Sequence, residues 1–165
     1  LGRVLSCGPV AISPYLAELR ELVGHRYLLI PGATVLIWNQ AGELLMVRNI
    51  ETGRWQTVGG AVDPGESPRQ AAVREAREET GVEVELDALR DVVGGENYQV
   101  HYPNGDHAGY VGSVFDAHVV GGELRTAGDG DEVSEVRWWS LAALSRADIT
   151  HYTRVLLSDL GLLGA

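Results

Sequence analysis

The segment from Gly60 to Val82 constrains the fold of this chain more than any other stretch. It spans 23 residues and has the sequence GAVDPGESPRQAAVREAREETGV. Ser67 is a strong N-cap, Pro68 suits the first position of a helix, and Gly81 is a typical C-terminal stop. Because Gly59 precedes the segment, the pattern predicts a strand, a glycine loop that lets backbone approach a ligand closely, and then a helix.

Three carboxylates lie on one side of this predicted helix. Glu75, Glu78 and Glu79 occupy positions i, i+3 and i+4, and like charges at this spacing destabilise an isolated helix by about 0.2–0.5 kcal/mol per pair. Mg²⁺ and Mn²⁺ favour carboxylate oxygens, so a divalent cation would offset the repulsion. The alternative is a surface helix whose glutamates pair with its own arginines, Arg69, Arg74 and Arg77.

The same stretch resembles the Nudix box of the Nudix (MutT-like) hydrolases. The box consists of Gly, five residues, Glu, seven residues, Arg-Glu, an apolar residue, any residue, Glu-Glu, any residue, Gly and an apolar residue. Every fixed position is met, by Gly60, Glu66, Arg74, Glu75, Ala76, Glu78, Glu79, Gly81 and Val82. The pattern is specific, because it sets seven polar or glycine positions. One departure precedes the box, where Val58 stands in place of a proline that is common in the family.

The resemblance implies an α/β fold, a Nudix-type α/β/α sandwich with a mixed β-sheet between helices. It also implies Mg²⁺ or Mn²⁺ as the cofactor, held by the helix glutamates and the substrate diphosphate while water attacks phosphorus. By position, Glu75 and Glu79 are the expected primary ligands, and Glu78 is a further ligand or a group that orients water. The Gly60 carbonyl, with Glu66, is expected to support the metal shell.

The catalytic residues expected from the resemblance are Glu78 and Glu79 in the box and one carboxylate from a later loop. Glu132, in the acidic turn before a predicted strand, is the candidate for this distal base; an exposed acidic turn without a catalytic role is the alternative. Arg74 is expected to orient a neighbouring glutamate through paired hydrogen bonds.

The substrate-binding residues are predicted outside the box. Trp55 and Tyr98 are candidates to stack on or hydrogen-bond a base, as are Tyr102 and His101, whereas Arg48 and Arg54 are candidates to meet a phosphate. Tyr98 lies 17 residues after Gly81, a spacing similar to that of family members that cleave diadenosine polyphosphates. The alternative for the aromatic residues is burial in the core of the sheet.

The charge balance bounds the ligand class. Thirteen Lys and Arg against 23 Asp and Glu give a formal net charge of −10, which disfavours extended nucleic acid. The expected partner is therefore a small nucleotide-like diphosphate. Residues 1–12 lack a signal-peptide pattern, no stretch has the length and apolarity of a membrane helix, and the single Cys7, expected to be inert, favours a reducing compartment. These features predict a cytoplasmic protein without a membrane partner.

One domain is expected over residues 1–165, with an extension at residues 1–30 that carries a short helix over Pro14–Val23. Apolar, β-prone runs predict strands, and two closing helical segments follow them. The strands are predicted at Ala33–Asn39, Glu43–Arg48, Val82–Leu86, Asn97–Tyr102, Gly109–Val120 and Val133–Trp139, and the helices at Leu141–Ser145 and Thr150–Leu163.

The function expected from this reasoning is metal-dependent cleavage of a phosphoanhydride bond in a nucleoside diphosphate linked to another moiety: a nucleotide sugar, a dinucleotide or a nucleoside triphosphate. The alternative is a non-catalytic Nudix domain that senses a nucleotide ligand, although the intact set of Glu75, Glu78 and Glu79 favours the enzyme. The oligomeric state stays open between a monomer and a homodimer.

Overall fold

The structure, a computed structural model, describes residues 12–163. This part of the chain contains four α-helices and seven strands, with a short 3₁₀ helix at Glu96–Tyr98. The helices are α1 (Pro14–Val23), α2 (Pro68–Thr80), α3 (Leu141–Leu144) and α4 (His151–Asp159). The strands are β1 (Leu28–Trp38), β2 (Leu44–Asn49), β3 (Trp55–Ala61), β4 (Val82–Val93), β5 (Gln99–His101), β6 (His107–Gly122) and β7 (Val133–Trp139).

The strands form one mixed sheet in the order β4-β6-β1-β3-β2-β7, and β5 pairs with β6. The β1–β6 pairing is parallel over its whole length, and the other strand pairings are antiparallel. The mixed sheet with helices over both faces confirms the α/β/α sandwich predicted from the sequence.

Two hydrophobic cores lie on opposite faces of the sheet, because successive side chains of a strand point to opposite sides. On β1, Val35 and Ile37 belong to the core under α2, whereas Leu36 belongs to the core under α3 and α4. The first core is completed by the small Ala72 and Ala76 of α2, both fully buried. Small residues on this helix face allow α2 to lie close to the sheet.

Several predicted elements are confirmed, and others differ in extent. Helix α1 and strand β7 have the bounds expected from the sequence. Gly59 and Gly60, expected in a loop, belong to β3 and pair with β1. Strand β4 runs on to Val93, well beyond its predicted end, because it pairs with the long β6 through three register shifts.

Cys7 lies outside the described residues, so the expectation of an inert thiol stays a prediction. Within residues 12–163, the longest helix has 13 residues, and no helix has the length and apolarity needed to cross a bilayer.

Candidate active site

Helix α2 is capped at both ends by the residues from which its bounds were predicted, Ser67 and Gly81. The Ser67 hydroxyl accepts from the Gln70 backbone N–H, and the Gln70 side chain accepts from the Ser67 N–H, which forms a capping box. At the other end Gly81 has φ 81°, and a Cβ there would meet the Glu123 carbonyl oxygen at 2.3 Å. The Arg125 guanidinium donates to the carbonyls of Arg77 and Glu78. The helix that carries the carboxylates therefore has both ends satisfied.

Two adjacent glycines of β3 lie where this strand meets its neighbours β1 and α2. The Gly59 N–H donates to Glu79 Oε2 at 3.0 Å, and Gly59 has φ 151°, where a Cβ would lie 2.3 Å from the Ala33 carbonyl oxygen. At Gly60 a Cβ would lie 2.3 Å from Glu75 Oε1. Gly59 is thus required by the close pairing of β3 with β1, and Gly60 by the position of the Glu75 carboxylate.

Arg74 holds three carboxylates at the mouth of the site. Its Nε and Nη2 donate to Glu66, its Nη1 donates to Glu75 and Glu78, and its Nη2 also donates to the Ala61 carbonyl. Hydrogen bonding to Arg74 lowers the pKa of Glu66, and hydrogen bonding to Glu66 raises the pKa of Arg74. The guanidinium orients these side chains by paired, charge-assisted hydrogen bonds.

Glu79 is a buried carboxylate without an arginine partner. It is 3% exposed, and among the residues described its hydrogen-bond donor is the backbone of Gly59. Burial raises its pKa well above the ordinary value, and the negative charge of Glu75 raises it further. Burial likewise raises the pKa of Glu75. Since charged groups are costly to bury without a counter-charge, this pair favours a cation.

Glu132 lies in the same cleft as the carboxylates of α2, although more than 50 residues separate them in sequence. Asp129 holds the acidic turn by accepting the backbone N–H groups of Asp131, Glu132 and Val133. Burial raises the pKa of Glu132 to about 7, and the charge of Glu75 contributes to the shift. Electrostatic coupling therefore links the distal turn to the box helix.

The cleft that joins these groups has a volume of about 1410 Å³, larger than the roughly 300–1,000 Å³ of common ligand pockets. Its walls contain Gly60, Glu75, Glu78, Glu79 and Glu132. Within residues 12–163, no three His, Cys, Asp or Glu side chains converge closely enough to coordinate one ion as they stand, and the Arg74 guanidinium lies between several of them. The donors have the hard-oxygen chemistry that Mg²⁺ and Mn²⁺ prefer, so the site fits such an ion once its side chains reorient.

Comparison with known proteins places this architecture in a family. The model of the NUDIX domain matches residues 28–160. The chain belongs to the Nudix family. The match covers all seven strands of the sheet and α2, which carries the Nudix box.

Individual Nudix relatives agree. The chain is 31% identical over 144 residues to the ADP-ribose pyrophosphatase of Methanocaldococcus jannaschii, covering 84% of this chain and 79% of the relative. It is 34% identical over 122 residues to the NAD-capped RNA hydrolase NudC of Pseudomonas aeruginosa (strain LESB58), covering 73% of this chain but only 40% of that relative. The crystal structure of a MutT protein from Methanosarcina mazei Go1 superposes with a TM-score of 0.65 at 26% identity, covering 82% of this chain and 95% of the other.

Four of the six residues predicted to bind substrate are not brought together with the Nudix box. Trp55 is 8% exposed and packs edge-on against Trp139, and Tyr98 is 3% exposed and donates its hydroxyl to Asp159 Oδ2 at 2.7 Å. Both belong to the core under α3 and α4. Arg48 and Arg54 pair with acidic residues, Glu135 and Asp148 respectively. None of the four lines the cleft, so their role in substrate binding stays a prediction.

Other residues line the cleft that the sequence did not single out as site residues. Tyr110 of β6 and Arg69 of α2 belong to this group, and the N-terminal end of α1 contributes Pro14 and Leu16. Tyr102, named above among the aromatic candidates, also lines it. Strand alternation alone does not identify these positions, because the cleft is formed by elements that are distant in sequence.

Proposed function

We propose that the chain hydrolyses a phosphoanhydride bond in a nucleoside diphosphate linked to another moiety, with Mg²⁺ or Mn²⁺ as cofactor. The observation that carries the proposal is the convergence of Glu75, Glu79 and Glu132 on one cleft, where buried carboxylates lie beside backbone that only glycine permits. Water attack forms one P–O bond and breaks the bridging P–O bond, which leaves two phosphorylated products.

The names of the relatives support the substrate class. An ADP-ribose pyrophosphatase and an NAD-capped RNA hydrolase are named for substrates in which a diphosphate joins a nucleoside to another group. The chain spans only 40% of the length of the Pseudomonas relative. The net charge of −10 favours a small ligand over an extended polynucleotide.

The residues that would hold the metal are Glu75 and Glu79, with Glu78 and the Gly60 carbonyl completing the set. A bound ion of this kind neutralises diphosphate charge and lowers the pKa of water. Buried carboxylates that repel one another have the chemistry to receive it. Arg74 donates to Glu75 and Glu78 in this structure, and these hydrogen bonds would rearrange as the glutamates turn toward the ion.

Glu132 is proposed to accept the proton of the attacking water at its carboxylate. Its position supports this role, since Glu132 lines the same cleft as Glu75 and Glu79 and its backbone N–H is held by Asp129. Glu78, which is the most exposed of the three helix glutamates, would assist by orienting water.

A panel of nucleoside diphosphate derivatives, assayed with Mg²⁺, with Mn²⁺ and with excess EDTA, tests the proposal. We expect turnover that requires the ion, and product analysis in ¹⁸O-labelled water identifies the phosphorus attacked. Turnover that persists in EDTA would refute the metal requirement. Binding of a nucleotide without any hydrolysis would instead favour the sensing domain.

A further inference from the structure

Tyr102 and Tyr110 place two hydroxyl groups in the wall of the cleft. Their oxygens lie 2.5 Å apart, and either hydroxyl is able to donate to the other. Whichever donates, the second hydroxyl keeps its own proton, and no acceptor for that proton is found among residues 12–163. Because partly buried hydroxyl groups in ligand sites commonly complete their hydrogen bonds with the ligand, this pair is suited to recognise a polar group.

The pair is held in place by the β5–β6 hairpin and by α1. In the turn, the Tyr102 N–H donates to the Asp106 carbonyl. Arg20 of α1 donates to the His107 carbonyl and pairs with Asp106 at 3.5 Å, so the helix fixes the hairpin. Tyr110 packs edge-on against Tyr152. Both hydroxyls are therefore supported by neighbours outside the cleft.

The same cleft has an apolar component that the Nudix box does not provide. Ile12, Pro14 and Leu16 line it from the start of α1, and Leu86 lines it from β4. Apolar side chains beside a pair of hydroxyl groups suit a flat heterocycle that has a hydrogen-bonding edge.

We propose that the Tyr102–Tyr110 hydroxyl pair is a specificity determinant that hydrogen-bonds the polar edge of the substrate's nucleobase. The proposal rests on the hydrolase function above, and it locates the nucleoside end of the substrate. The box carboxylates then take the phosphates, while the tyrosines distinguish a nucleoside polyphosphate from a bare phosphate chain.

The test compares Tyr102→Phe and Tyr110→Phe with the wild type on two matched substrates. One is the nucleoside triphosphate, among ATP, GTP, CTP and UTP, that the wild type hydrolyses fastest, and the other is tripolyphosphate. We expect KM for the nucleotide to rise about tenfold or more, because a buried hydrogen bond is lost. We also expect kcat to change little and the tripolyphosphate kinetics to stay as in the wild type. Tyr27→Phe is the matched control, since Tyr27 is exposed, lies beside His107 and does not line the cleft.

Equal effects on both substrates, or no effect on the nucleotide, would overturn the proposal. Thermal unfolding of each variant separates misfolding from loss of recognition, and the milder of the two variants is used if one is unstable. Calorimetric binding of α,β-methylene nucleoside triphosphates and of tripolyphosphate, with Mg²⁺ present, gives a second readout. If the wild type hydrolyses nothing, the hydrolase function fails, and this inference still stands or falls on whether Tyr102→Phe weakens nucleotide binding selectively.

Discussion

Replacing Gly60 with alanine tests the contact between β3 and the carboxylates most sharply. The new Cβ would lie 2.3 Å from Glu75 Oε1 and 2.7 Å from Glu75 Cδ, whereas ordinary contacts begin at 3.4 Å. Glu75 must therefore move by about 1 Å, and misplacement of this size costs on the order of 100-fold in rate. We expect kcat/KM to fall about 100-fold and the concentration of Mg²⁺ needed for half-maximal activity to rise.

The stability of the Gly60→Ala protein should change little. The atoms that the methyl group meets are the far end of a side chain, so the free energy of unfolding should fall by about 1 kcal/mol or less. Steady-state hydrolysis over a Mg²⁺ titration measures the first effect, and denaturant unfolding without metal measures the second.

Two further variants decide whether the clash with Glu75 is the cause. In Gly32→Ala, on the neighbouring strand, the Cβ would meet the Gly60 carbonyl oxygen at 3.5 Å, an ordinary contact. This variant places a methyl group beside the same carbonyl without the clash on Glu75, so we expect it to lose far less activity than Gly60→Ala. In a Glu75→Ala background, Gly60→Ala should add almost nothing, because its steric partner is gone. Wild-type activity of Gly60→Ala, or additive losses in the double variant, would refute the reasoning.

Three other predictions follow from individual polar side chains. The fold raises the pKa of Glu132 from 4.5 to about 7, so its protonation stabilises the metal-free protein below about pH 4.5, and this stability is lost as the pH rises through about 7. Glu132→Gln should reduce the fall in unfolding free energy over that range by about 1–2 kcal/mol after solvent screening. An equal fall in unfolding free energy in the wild type and the variant would contradict the shift. Tyr98→Phe should lower the unfolding free energy by about 1–2 kcal/mol through loss of the bond to Asp159 without changing KM, whereas a raised KM at unchanged stability would support the sequence prediction that Tyr98 binds substrate. Ser67→Ala removes the cap bond to Gln70 and should lower the melting temperature through a loss of about 1 kcal/mol; an unchanged melting temperature would show that the cap contributes nothing.

The local features of the chain were predictable because local chemistry determines them. Ser67, Pro68 and Gly81 bound α2 through caps and φ preferences that depend on adjacent residues alone. The position of Glu75, Glu78 and Glu79 on one helix follows from helical spacing. The mixed sheet was predictable from the order of strands and helices together with the resemblance.

The surroundings of the site were not predictable, because they depend on which distant segments meet. The pair Gly59-Gly60 suggested a loop, yet the pairing of β3 with β1 makes it strand. Gly59 is needed because the backbone of β1 lies so close, and Gly60 because Glu75 of α2 does. Trp55 follows the core alternative, since α3 and α4 cover that face of the sheet. Tyr110 is a candidate for substrate recognition because it lines the cleft, which is formed by elements that are distant in sequence.

The central claim, a metal-dependent hydrolase built on the buried box carboxylates, is tested most directly by kcat of Glu79→Gln at saturating Mg²⁺. Glu79 accepts from Gly59 at 3.0 Å inside the fold, whereas Glu85 is exposed on β4 and does not line the cleft, so Glu85→Gln is the matched control. We predict that Glu79→Gln loses at least about 100-fold in kcat and keeps the circular dichroism spectrum of the wild type. The control, Glu85→Gln, should have the activity of the wild type. Wild-type turnover by a folded Glu79→Gln protein would contradict the account.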